Sequence, residues 1–285
     1  MKRTIEFTKM HGAGNDYIDV NTLAYPLKHP EKLSVTWSDR HKGIGGDGLI
    51  MIDRSEVADF KMRMFNNDGS EGIMCGNGIR CVGKYVYDHR LTTSTTVTIE
   101  TLGGIKTLQL QTGADNLVTK VRVDMGAPLF RNPDQFALNN GAMQEGVITA
   151  PYDGGECRNY IGTFVCMGNP HFVIFTDDIA KVDLAGEGAK LETLAIFPQK
   201  CNIEFAQVKG NGTIRTRVWE RGTGITQACG TGACATAAAA ILSGRADGNV
   251  TIAMDGGDLE IEWDGKGNLF MTGPAVTVFD GEIEL

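Results

Sequence analysis

At 285 residues the chain has the length of about two domains. Its 42% hydrophobic and 22% charged residues are those of an ordinary globular protein with enough apolar mass for two cores. The 27 Lys and Arg against 35 Asp and Glu leave a net charge of −8, and no basic stripe marks a nucleic-acid or anionic-membrane partner.

Residues 5–9 read as a first strand and not as a secretory signal, because no apolar run follows the early basic residues. A helix is expected over 30–42, then strands over 48–53 and 60–66, each with β-branched or aromatic content and Gly or Asp/Asn breaks. A loop leads to Cys75, and a helix over 77–89 follows it. Strands at 96–101 and 105–111 flank a hairpin turn at Gly103-Gly104, and another is expected at 120–125. A seam falls at VDMGAP, residues 123–128, which is echoed by FMTGPA at 270–275. Beyond it the pattern gives strands at 164–167 and 172–176, a helix at 183–195, and strands at 203–208 and 213–219. Cys229 and a helix over 232–243 come next, then strands at 250–254, 259–263 and 269–272, the last two joined by a turn over 264–268. A final strand runs from 276 to 285 with no counterpart in the first half. The expected class is α+β, two similar halves each with a mixed sheet and two helices. The longest apolar run, 233–242, is too short to cross a bilayer. Seven cysteines, an odd number, fit a reducing compartment, so the expected location is cytoplasmic, with no membrane partner.

One duplication organises the chain. RMFNNDGSEGIMCGNG at 63–78 aligns without a gap with RVWERGTGITQACGTG at 217–232, placing Cys75 on Cys229 at a separation of 154 residues. The same separation carries Asn15 onto Asn169 and Asn66 onto Glu220. It predicts two halves related by an approximate two-fold axis, each presenting one cysteine. Two thiols on opposite faces of a carbon can remove a proton from one side and return it to the other, which is racemase chemistry without a cofactor.

Each Cys-Gly-x-Gly stands just ahead of an expected helix. A helix start offers N–H groups with no intrahelical acceptor and the positive end of the dipole. Glycines let a ligand approach that backbone. Each motif therefore suits both a carboxylate and a thiol of lowered pKa. A buried structural cysteine at a tight helix start is the plain alternative, and the duplication is what argues against it. His171, close after Asn169, is placed to bias a thiol.

Other patterns do not carry chemistry. Residues 43–48 match G-x-G-x-x-G, but an expected helix precedes them and a strand follows, the reverse of a dinucleotide site. Cys81 and Cys234 lie within helices at spacings unlike most zinc sites, so they read as core, and no metal is expected. No lysine has a setting that argues for a pyridoxal Schiff base.

The motifs KMHGAGNDY (9–17), HKGIGGDG (41–48), FNNDGSEGIMCGNGIRC (65–81), MGNPHFVIF (167–175), CNIEFAQV (201–208), RVWERGTGITQACGTGACA (217–235) and GPAVTVFDGEI (273–283) together resemble the cofactor-independent diaminopimelate epimerases over essentially the whole chain. The resemblance implies two pseudo-symmetric domains, each a β-barrel-like mixed sheet wrapped around a central helix. Residues 1–128 plus 276–285 would form the N-terminal half and 129–275 the C-terminal half, the last strand crossing back. It implies interconversion of LL- and meso-diaminopimelate, towards lysine, with Cys75 and Cys229 as acid/base thiols. The backbone of Gly76-Asn77 and of Gly230-Thr231 would hold the carboxylate at the reacting carbon. Asn15, Asn66, Asn169, Asn202, Glu220 and Arg221 would recognise the rest of the substrate, while His171 and Glu220 tune the thiols. No cofactor is implied; the partners are the small-molecule substrate and a second copy of the chain, with a contact near Phe279. Two positions depart from the pattern: Gly48, where many members have Gln, and Ile225, where many have Glu.

Rival readings are a related racemase of another amino acid, such as histidine or proline, a dithiol oxidoreductase, and a metabolite-binding protein. The two-thiol reading predicts inactivation by oxidation that a reductant reverses.

Overall fold

A computed structural model describes residues 3–137, 146–151 and 157–285. The chain splits into two compact units, residues 1–124 with 272–285, and residues 125–271.

The first unit contains β1 (Thr4–Gly12), β2 (Asn15–Asn21), α1 (Pro30–Ser38), β3 (Gly48–Asp53), β4 (Phe60–Asn66), β5 (Glu71–Gly72), α2 (Gly76–Asp88), β6 (Thr96–Thr101), β7 (Gly104–Thr112) and β8 (Val118–Gly126). β1 pairs antiparallel with β2, β2 parallel with β3, β3 antiparallel with β4, and β4 antiparallel with β5 and parallel with β6. β6–β7 and β7–β8 are antiparallel hairpins.

The next elements are β9 (Gly146–Pro151), β10 (Cys157–Cys166), β11 (Pro170–Phe175), α3 (Leu184–Glu192), β12 (Asn202–Gly210), β13 (Thr213–Glu220), β14 (Gly224–Ile225), α4 (Gly230–Leu242), β15 (Asn249–Met254), β16 (Gly257–Glu262) and β17 (Leu269–Pro274). The pairing repeats: β10–β11 antiparallel, β11–β12 parallel, β12–β13 antiparallel, β13–β14 antiparallel, β13–β15 parallel and β15–β16 antiparallel. β18 (Val276–Glu284) returns to the first unit and runs antiparallel beside β1, from Thr4 opposite Glu284 to His11 opposite Val276.

Each sheet is wrapped about one buried helix. α2 is buried from Gly76 to Val86 and touches β1, β2, β4, β7 and β18. α4 is buried from Gly230 to Ala240 and touches β10, β11, β12, β13, β15 and β16. A helix enclosed on all sides must be narrow, which explains Ala233, Ala235 and Ala237 to Ala240, all fully buried. In α2, a Cβ on Gly83 would lie 2.8 Å from Leu108 Cδ2, so the sheet approaches the helix backbone directly. The polar residues of α2 stay enclosed because they are paired: Lys84 Nζ donates to Asp88 Oδ2 at 2.6 Å and to the Val118 carbonyl at 2.7 Å.

The pattern reading misses β2 and β9 and the two-residue strands β5 and β14, and places only the end of β10. β2 reads NDYIDVN, and its Asn and Asp residues hide a strand whose Tyr17 to Val20 stretch is buried. α1 ends at Ser38, not at Lys42, because Asp39 turns extended and its Oδ1 accepts from the N–H groups of His41 and Lys42. α3 stops at Glu192, three residues short of Ala195. α4 begins two residues before its expected start, directly after Cys229. Met1 and Lys2, ahead of the expected first strand, lie outside the described residues, as do 138–145 and 152–156 within the expected C-terminal half. No described helix is long and apolar enough to cross a membrane.

Candidate active site

In both units a cysteine occupies the N-cap. Cys75 precedes α2 with φ −125° and ψ 116°, and Cys229 precedes α4 with φ −128° and ψ 112°. Each sulfur accepts from the N–H three residues on, Gly78 in one case and Gly232 in the other, both at 3.3 Å. Sulfur thus takes the place that a Ser or Asp oxygen holds in an ordinary cap, and partial positive charge at the helix start favours the thiolate. The second glycine of each motif lets a side chain close on the helix start. A Cβ on Gly78 would stand 2.7 Å from Ile50 Cδ1, and one on Gly232 would stand 2.7 Å from Glu204 Oε1.

The first unit adds a phenol. Tyr17, 2% exposed on β2, lies with its hydroxyl 3.0 Å from Cys75 Sγ. Burial pushes the Tyr17 phenol well above its usual range, and the nearby Cys75 adds to that, so the hydroxyl keeps its hydrogen beside the sulfur. Asn15 opens β2, half-buried, opposite Gly12. Asn66 closes β4; its Nδ2 donates to Ser70 Oγ at 2.9 Å, and Ser34 Oγ donates to its carbonyl at 2.8 Å. Gly48, paired with Asn66, has no room for a side chain: a Cβ would lie 2.3 Å from the Phe65 carbonyl oxygen. Ile225 is 45% exposed on β14.

The second unit surrounds its thiol with acids. Cys229 is 7% exposed, and Thr231 Oγ1 lies 3.4 Å from its sulfur. Burial pushes the Cys229 thiol well above the usual range; the Glu220 and Glu204 carboxylates push it further, and the Thr231 hydroxyl pulls it down. Glu220, at the end of β13, is raised by burial, against which Cys229, His171 and Thr226 act. His171, fully buried on β11, meets Glu204 Oε1 through Nδ1 at 2.6 Å and Asn169 Oδ1 through Nε2 at 3.1 Å. Asn169 Nδ2 donates to Thr231 Oγ1 at 3.3 Å. Asn202 uses both ends of its amide on backbone: Nδ2 donates to the Pro170 carbonyl at 2.7 Å and Oδ1 accepts from Arg221 N–H at 2.9 Å. Arg221 in turn donates through Nη1 to the Gln199 carbonyl at 2.9 Å.

The folded second unit therefore gathers Asn169, His171, Glu220, Cys229 and Thr231 around one thiol, with Asn202 and Arg221 joined beside them. Two of the polar groups next to the thiols, Tyr17 and Glu204, escape the sequence reading. The repeat itself contained the signal: Tyr17 stands 154 residues before His171, and Glu204 the same distance after Ile50. The glycine-rich loop at 43–48 is closed by the chain's own contacts. Asp47 N–H donates to the Asp16 carbonyl at 2.7 Å, Lys9 Nζ donates to the Gly45 carbonyl, and Arg40 bridges Asp16 and Asp47. Cys81 and Cys234 are fully buried core thiols.

Comparison with known proteins gives one consistent result. The sequence profile of the family described as Diaminopimelate epimerase matches residues 7–130 and 163–278. The chain is 56% identical to the diaminopimelate epimerase of Phocaeicola vulgatus, covering 100% of each chain. It is 52% identical to that of Bacteroides thetaiotaomicron, again over 100% of each. Against that of Methanococcus maripaludis it is 47% identical, over 99% of this chain and 100% of the other. Among solved structures, a hydroxyproline epimerase from Agrobacterium vitis superposes with a TM-score of 0.73 at 14% identity, covering 99% of this chain and 93% of that one. A PhzF-family protein of Bacillus anthracis gives 0.69 at 17% identity, over 99% of each. These two likenesses concern the fold alone.

Proposed function

The chain belongs to the diaminopimelate epimerase family, and we propose that it interconverts LL-2,6-diaminopimelate and meso-diaminopimelate by two-base proton transfer at the α-carbon, without a cofactor. The observation that carries the mechanism is the twice-built helix start capped by a cysteine sulfur, at Cys75 and at Cys229.

One cysteine, as thiolate, takes the α-hydrogen; the other, as thiol, delivers a proton to the opposite face; the reverse direction exchanges the roles. General acid–base transfer accounts for roughly 10²- to 10⁴-fold of an enzymatic rate. The backbone N–H groups of Gly76-Asn77 and Gly230-Thr231 supply the further stabilisation, holding the substrate carboxylate as charge moves onto it. Asn15, Asn66, Asn169, Asn202, Glu220 and Arg221 recognise the amino groups and the distal carboxylate, and His171 and Glu220 adjust the thiol beside them. The activity belongs to lysine biosynthesis and to the cytoplasm. A homodimer forms with Phe279 at the contact; this ring is 46% exposed on β18 and meets Phe7 edge-on.

The test is α-hydrogen exchange of meso-diaminopimelate in D₂O under reducing conditions, followed by proton NMR. The expected result is exchange with appearance of the LL isomer, and loss of epimerisation in both Cys75→Ala and Cys229→Ala. Epimerisation that survives either substitution would remove the two-thiol mechanism. A folded wild-type protein that exchanges nothing would remove the substrate.

A further inference from the structure

The two thiols sit on matching scaffolds but have different neighbours at matching positions. Where the first unit has Tyr17 and Ile50, the second has His171 and Glu204. Tyr17 reaches its sulfur directly. In the second unit the described contacts run Glu204, His171, Asn169, Thr231 and Cys229, each within hydrogen-bond distance of the next.

The direction of that chain follows from its members. The Asn169 oxygen only accepts, so His171 Nε2 carries a hydrogen and donates it. Asn169 therefore turns its NH₂ toward Thr231 Oγ1. Thr231 Oγ1, accepting there, has its single hydrogen available for the sulfur 3.4 Å away. At the other end, His171 Nδ1 shares a proton with Glu204 Oε1 across 2.6 Å. A carboxyl group at this place gives Nδ1 a hydrogen-bond partner and fixes the ring so that Nε2 faces the Asn169 oxygen. An apolar residue, as at Ile50, leaves Nδ1 without a partner in a closed core.

We infer that Glu204 is a positioning residue for Cys229: paired with His171 Nδ1, it fixes the imidazole so that Nε2 donates to the Asn169 oxygen, which orients the Asn169 amide and so aims the Thr231 hydroxyl at the sulfur. The carboxyl also closes on the helix start: a Cβ at position 232 would lie 2.7 Å from Glu204 Oε1. The titratable groups facing the pair from other elements are Glu220 at the end of β13, Cys201 just ahead of β12, and Cys229 itself. The functional meaning rests on Cys229 being an acid/base thiol.

The experiment is a double-mutant cycle between Glu204 and Thr231, which share no bond, read by site-resolved iodoacetamide alkylation of Cys229 against pH. Thr231→Val in the parent protein should slow alkylation at a fixed pH below its midpoint by roughly fivefold to tenfold, the loss of one hydrogen bond to a charged sulfur. In a Glu204→Ile background the same change should slow it by less than about twofold, because the hydroxyl is no longer aimed. Equal factors in the two backgrounds, or no effect of Thr231→Val in the parent, would overturn the proposal. Alkylation of Cys75 serves as the folding control. If Glu204→Ile does not fold, the ¹⁵N spectrum of His171 in the parent decides: a protonated Nε2 supports the chain, and a hydrogen on Nδ1 alone refutes it. The underlying reading fails separately. Epimerisation retained in Cys229→Ala would remove the acid/base role and leave the hydrogen-bonded chain intact.

Discussion

Asp19 should weaken the fold at neutral pH, by an amount that grows with pH. It lies on β2, fully buried, opposite Thr8 of β1, and neither carboxyl oxygen has a hydrogen-bond partner among the described residues. Burial pushes its carboxyl well above the ordinary range; the charge of Lys9 opposes this, but Lys9 is itself paired with Asp16 at 2.7 Å. A carboxyl that holds its proton in the folded state and loses it in the unfolded state stabilises fully only below the unfolded value, near pH 4. Above that, the folded protein loses about 1.4 kcal/mol per pH unit until its own Asp19 ionises. The ceiling at pH 7 is about 4 kcal/mol. The matching residue of the second unit is Val173, so the scaffold has no need of an acid here. Asp19→Asn removes the titration and keeps the shape. Urea unfolding followed by circular dichroism at pH 5 and pH 7 should show the variant gaining on the wild type as pH rises, by at most about 3 kcal/mol over that interval. A difference between the two proteins that is the same at both pH values would refute the reasoning, since it would mean Asp19 is ionised in the fold with a partner.

Three further outcomes follow from buried groups. Burial holds the Cys81 thiol well above its usual range, so it contributes stability below about pH 8.5 that is lost as pH rises further; Cys81→Ala should flatten the alkaline loss by about 1.4 kcal/mol per pH unit between pH 9 and 10, and an unchanged slope in urea titrations would contradict this. Arg80 is fully buried and donates to the carbonyls of Gly76 and Pro274 and to Asn77 Oδ1; Arg80→Met should destabilise by about 3–5 kcal/mol, and a loss below about 1 kcal/mol would show these acceptors to be otherwise served. Gly78→Ala, whose Cβ would press on Ile50, should lower both stability and epimerisation, with near-normal activity in a variant of unchanged thermal midpoint counting against the steric account.

The reading from sequence succeeds where the determinants are local and fails where they are long-range. The helix starts at Cys75 and Cys229 were legible because a cap, its glycines and the helix that follows are neighbours in the chain. The end of α1 was not, because a single Asx turn at Asp39 outweighed the pattern that continued past it. β2 was hidden because Asp19, an acid with no hydrogen-bond partner among the described residues, occupies a core position that hydrophobic alternation assigns to an apolar residue. Glu204 was hidden in the same way, since in NIEF a charged residue between apolar ones reads as the solvent side of a strand, whereas α4 covers that face and leaves the carboxyl fully buried. Comparing the two copies recovers part of this. Positions at the 154-residue separation occupy equivalent places, so a residue that touches the thiol in one unit marks its counterpart in the other. Tyr17 beside Cys75 thus points to His171, and Ile50 against Gly78 points to Glu204 against Gly232. The scaffold is duplicated but the surroundings of the thiols are not: a phenol lies 3.0 Å from one sulfur, and a threonine hydroxyl 3.4 Å from the other, with Glu220 and Glu204 acting on it. The two thiols therefore stand in different electrostatic surroundings even though the folds that hold them are copies.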